Sequence, residues 1–255
     1  MEAPGPIPAD THPVFAGRTP WSAGAATVFT LFALAAAIFV AWLAQPINAT
    51  LGSLIVRRKD PTGIPSNGVV ETMLTMLVLQ AVIVALVWWG TGRFGGDRRR
   101  LLSLMPGLPI STFLTGLAGM IAVLLPLNLV IYYFWPSQFA TNMEIFWVFA
   151  RSPALWLAAL VFAVGAPLSE ELLFRGFLLP ALCKTRYGFT GAALIATSGW
   201  TLLHAYTFLG MLEVFLIGLY FSWLMWRYAN LWLPLALHAL YNGLQLLVLA
   251  SWPVN

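Results

Sequence analysis

The sequence predicts an all-α, polytopic membrane bundle of about seven to eight helices. Three observations carry this reading. The first is composition: of 255 residues, 60% are apolar and 9% are charged, against roughly 25% charged in an average soluble domain. So few charges cannot cover the surface of a soluble protein of this size, and 17 Phe with 12 Trp exclude a disordered chain. The second is distribution: the apolar residues gather into seven runs, each near the ~20 residues that cross a bilayer. The third is that no run alternates in the manner of a barrel strand.

In chain order the runs are Ala25–Ile47, Val69–Trp89, Ile110–Trp135, Pro153–Leu178, Phe189–Leu209, Met211–Tyr228 and Leu231–Ser251. Residues 1–24 are rich in Pro and Gly and read as a disordered cytoplasmic tail. Run one is longer than a signal-peptide core, with only Arg18 near its start, and reads as a retained anchor. Residues 25–255 then form a single transmembrane domain. The longest connections are Asn48–Gly68 and Gly90–Pro109, too short for a soluble domain. The two halves show no repeat, which weakens a transporter reading. The lone Cys183 excludes an internal disulfide and a CxxC metal site, and reads as a small apolar residue near a helix end.

The charge of +4, from 13 bases and 9 acids, is too small for a polybasic nucleic-acid binder. Bases in a membrane protein set topology. If every run crosses once, Arg18, Arg93, Arg98, Arg99, Arg100, Lys184, Arg186 and Arg227 share the N-terminal side, with Arg57, Arg58, Lys59 and Arg151 opposite. That balance puts the N-terminus in the cytoplasm, against the Arg57–Arg58–Lys59 cluster. A bacterial inner membrane is the expected location.

Ionisable groups inside a bilayer are costly, so those within the runs are functional candidates. Glu171 and Arg175, four apart, share a helix face and pair. Glu170 is rotated about 100° away and lacks that partner. A carboxylate so placed suits general acid–base chemistry. Trp200 and His204 are four apart, as are His238 and Asn242. Pro234, one turn before His238, is positioned to bend its helix and free backbone groups. Glu213, beside Gly210, reads as a cap or interface residue. The six residues Glu170, Glu171, Arg175, His204, His238 and Asn242 form three motifs in order, each within an apolar run.

In this order the motifs EExxxR, aromatic-xxx-His and HxxxN resemble those of the CPBP family of intramembrane proteases. These are the CAAX prenyl endopeptidases and bacteriocin-processing (Abi) proteins, relatives of the Ras-converting endoprotease. The resemblance runs from about Pro167 to Leu247 and includes Phe215-Leu-Ile-Gly218-Leu-Tyr, with Trp200 where Phe is commonest. It implies a protease core at about 153–251 with an active-site cavity inside the membrane. It further implies that Glu170 and His204 bind and activate a water, that His238 and Asn242 stabilise the oxyanion, and that Glu171 and Arg175 position the site. The substrate would be a membrane-associated peptide, prenylated peptides included, met among membrane lipid and without nucleic acid. The residues are consistent with this chemistry, which needs a nucleophile, a proton carrier and donors for a developing charge. Zinc stays open as a cofactor, since Glu170, His204 and His238 are acceptable ligands; with no HExxH present, a metal-free glutamate mechanism is preferred. Two other readings stand beside it. One is a non-catalytic membrane protein of the same fold, such as a bacteriocin-immunity or assembly factor. The other is an ion or proton carrier using Glu213 and Glu171 as a relay.

Overall fold

A computed structural model describes residues 19–56 and 66–251. The Arg57–Arg58–Lys59 cluster, His12 and Arg18 lie outside the described residues. The longer helices are α1 (Ala23–Leu43), α2 (Gln45–Ile55), α3 (Ser66–Arg93), α4 (Ile110–Phe134), α5 (Pro136–Ala150), α6 (Leu155–Leu182), α7 (Gly188–Thr201), α8 (Phe208–Tyr228) and α9 (Trp232–Ser251). Six of these, α1, α3, α4, α6, α8 and α9, are long and apolar enough to cross a membrane. The protein is a polytopic all-α bundle, as its composition predicts, and an integral membrane protein.

On α1 the large apolar side chains face outward and the small ones inward. On α1, Ala26, Thr30, Ala33, Ala37 and Ala41 are buried, while Val28, Leu31, Phe32, Ile38, Phe39 and Trp42 are exposed. Lipid tails are as apolar as leucine, so close backbone approach drives helix packing in a bilayer. The small face of α1 lies on α3, where Gly90 leaves room for the Phe29 ring. Of the tail expected to be loose, Thr19 and Trp21 are buried. Lys184 donates to the Thr19 and Trp21 carbonyls at 2.7 and 2.6 Å, and the Trp21 indole donates to the Phe177 carbonyl. These bonds fasten the start of α1 to the end of α6. Cys183, in the first residue past α6, is buried, and burial pushes its thiol up to about 12. Folded protein at pH 8 is therefore expected to resist iodoacetamide, with labelling only after denaturation; rapid labelling of the native state would contradict this.

Two expectations need correction. Run five, Phe189–Leu209, is helical only to Thr201, below spanning length. Past that point the backbone bonds tighten to three-residue steps, Leu203 to the Trp200 carbonyl and His204 to the Thr201 carbonyl, as helix ends commonly do. Thr207 then caps α8 through Gly210 N–H, and Asn142 of α5 accepts from Thr207 N–H at 3.0 Å. His204 thus sits in a connection rather than on the Trp200 helix. The second concerns Pro234. It lies in the first turn of α9, where its missing N–H costs no helical bond, so it starts the helix instead of bending it.

Candidate active site

The site is built around α6, the most buried of the candidate spans. This helix is not regular. It widens to π geometry at Leu160–Gly165 and again at Glu171–Leu178. Prolines stand just past the first wide stretch, at Pro167, and just past the second, at Pro180. Their effect is local. Ala166 N–H reaches back to the Val161 carbonyl and Pro167 has no N–H to offer, so the Phe162 carbonyl has no partner in its own helix. Asn242 of α9 supplies one, donating its side-chain amide at 2.9 Å. Gln80 of α3 donates to the Val161 carbonyl at 3.2 Å. Gly165 permits this, since a Cβ there would strike the Gln80 amide. Wide turns of this kind recur at functional sites.

Glu171 and Arg175 pair as their spacing predicts, at 3.2 Å and fully buried. The pair is more elaborate than a local staple. Glu171 Oε1 also accepts from His238 Nδ1 at 3.0 Å, and Arg175 donates to the Gly218 carbonyl at 3.2 Å. The guanidinium lies 4.3 Å from the Trp200 ring centroid, a cation–π contact strengthened by the lack of water. Gly218 makes this packing feasible: a Cβ there would come within 2.7 Å of the Trp200 ring. The Phe215–Tyr220 stretch thus has a concrete role at its glycine.

Glu170 is not without a partner. Its Oε2 accepts from the Trp200 indole at 2.5 Å. Trp200 also touches both histidines edge-on, with centroids 5.0 Å from His204 and 5.7 Å from His238. His204 Nδ1 is 3.0 Å from the Trp200 carbonyl; a carbonyl only accepts, so Nδ1 carries a proton and Nε2 is the nitrogen left for the cavity. Glu171 is likewise an acceptor, which puts a proton on His238 Nδ1. Glu170, His204, His238 and Asn242 all line one cavity of about 320 Å³, so the structure brings together the four residues predicted to do chemistry. Glu171 and Arg175 lie behind its wall. His238 and Asn242 are one helical turn apart on α9, but their held atoms engage different partners, Glu171 and Phe162.

Glu170, His204 and His238 do not converge as a ligand set: among the described residues no group of three His, Cys, Asp or Glu is placed to hold a metal ion. Sequence reasoning missed Glu213 as a cavity residue. It lines the same cavity and accepts from Asn128 and Tyr241; its position in an apolar run was the available signal.

Residues 152–244, which include all six motif residues, match a family model described as Type II CAAX prenyl endopeptidase Rce1-like. No curated protein matches the chain, and no solved structure does.

Proposed function

We propose that this chain, whose residues 152–244 match the Rce1-like model of type II CAAX prenyl endopeptidases, hydrolyses a peptide bond of a membrane-associated substrate by a glutamate–histidine-activated water. The observation that carries this reading is the pair of acceptors on either side of Trp200. Glu170 has one oxygen held by the indole and the other left for the cavity, and His204 offers Nε2. A water donating one proton to each would turn its lone pair toward a substrate carbonyl. His204 or Glu170 then takes the proton as the carbon–oxygen bond forms. No serine or cysteine is required, and Cys183 is outside the cavity lining.

The oxyanion falls to His238 and Asn242. With Nδ1–H given to Glu171, His238 is held with Nε2 toward the cavity, where a proton on that nitrogen would meet the oxyanion. Asn242 keeps a second amide hydrogen after bonding Phe162. Donors fixed in advance spend nothing on reorientation as charge develops. Glu171 and Arg175 act as positioning residues. The N-terminus is assigned to the cytoplasm of a bacterial inner membrane on the balance of bases, and prenylated peptides are the first substrates to try.

The direct test is cleavage of a prenylated peptide panel by purified protein in detergent or liposomes, followed by mass spectrometry. A specific endoproteolytic product is expected; none across the panel, with substrates of the natural membrane also untouched, argues for a non-catalytic role. Metal dependence is tested alongside. Exhaustive chelation is expected to leave kcat/KM within about twofold, and activity that vanishes and returns with zinc would replace the metal-free mechanism.

A further inference from the structure

Glu213 is unused by the mechanism above. It projects from α8 into the cavity that holds Glu170 and His204. Its Oε1 is fixed from two other helices, by Asn128 of α4 at 2.8 Å and by the Tyr241 hydroxyl of α9 at 2.5 Å. Neither donor engages Oε2. The cavity lining holds two carboxylates, Glu170 and Glu213, and no Lys or Arg. Arg175, outside that lining, is fully buried and committed to Glu171, Gly218 and Trp200. A carboxylate held within a membrane bundle is costly unless a cation meets it, and a low-dielectric cavity magnifies that demand.

We infer that Glu213 is the specificity-determining acid of this cavity and receives a lysine or arginine side chain of the substrate. The inference rests on the cavity being the substrate site. Position supports it: Glu213 lines the same cavity as Glu170, His204 and Asn242, so a basic side chain held there would share the cavity with the scissile bond. The substrate class is thus a membrane-anchored peptide with a base in the same cavity as the cleaved bond.

The test is a binding measurement that needs no turnover. Synthetic peptides with a polyleucine membrane segment and an alanine-rich tail carry Lys, Gln or Glu at each tail position in turn. Their affinity for the Glu170→Gln protein is read by fluorescence anisotropy in matched micelles. At the favoured position Lys should bind at least tenfold more tightly than Gln, and Glu more weakly still. Adding Glu213→Gln, which keeps an acceptor for Asn128 and Tyr241, should bring the Lys-to-Gln ratio close to one. Adding Glu213→Lys should invert the preference toward Glu. Equal affinities in the parent protein, no binding by any peptide, or a ratio untouched by Glu213→Gln each overturn the inference. If Glu213→Gln does not fold, the parent protein's own ratios still decide. Cleavage by the wild type is scored separately, so a lysine preference without hydrolysis would remove the endopeptidase reading and leave this one standing.

Discussion

Glu170→Ala is expected to lower kcat/KM by about 10³-fold or more, the loss typical of a removed general acid–base group. Melting temperature and membrane insertion should stay close to wild type. The two outcomes separate because of where the carboxylate sits. Glu170 is only partly buried and makes one hydrogen bond among the described residues, to Trp200. Removing it costs about 1.5–3 kcal/mol for a hydrogen bond to a charged group, offset in part because a carboxylate no longer has to be held within the bundle. Its neighbour Glu171 is fully buried and holds two partners, so the two adjacent glutamates divide chemistry and support between them. His204→Ala should match Glu170→Ala in activity, and the double variant should lose little more, as for groups acting as one unit. Retained cleavage in both single variants would remove the activated-water mechanism.

Arg175→Met is expected to be the most destabilising single substitution at the site, by about 3–5 kcal/mol, because it strands a buried carboxylate. It also removes the donor to Gly218 and the cation over Trp200. Thermal unfolding in detergent should show a large fall in melting temperature. Glu171→Gln combined with Arg175→Met should recover part of that fall, since no unpaired charge then remains. A double variant as unstable as Arg175→Met alone would mean that packing, not charge, is what Arg175 supplies.

Much of this site was legible in the sequence because polar residues inside apolar runs stand out. Glu171 and Arg175 could be paired from spacing alone, since a four-residue step keeps them in reach even where the helix widens. Contacts between helices could not be read that way. The Trp200–Glu170 and His238–Glu171 bonds join residues 30 and 67 positions apart, and no local pattern reports them. Glu213 stands near Gly210 in sequence, while its partners lie on α4 and α9. Hydropathy extends run five past its helix because it registers Leu202, Leu203, Tyr206 and Phe208 without registering where backbone bonding stops. Helix α5 was hidden by its own polar residues, Ser137, Gln138, Thr141, Asn142 and Glu144. The widened turns of α6 left only Pro167 and Pro180 as clues.

Those widened turns make the aim of Glu170 a matter of counting. Each π turn holds an extra residue compared with an α turn, and the Leu160–Gly165 stretch precedes Glu170 in the chain. Shortening that stretch by a single residue would let it rewind to ordinary pitch. Because the wide turn already absorbs one extra residue, Glu170 would keep its bearing on the cavity, whereas one residue lost from the regular turn between that stretch and Glu170 would swing the two apart by about 100°. A reading-frame-preserving deletion of Leu168, invisible to any tally of hydrophobicity, would therefore act as a null allele, while a deletion within the wide stretch would leave Glu170 facing the cavity.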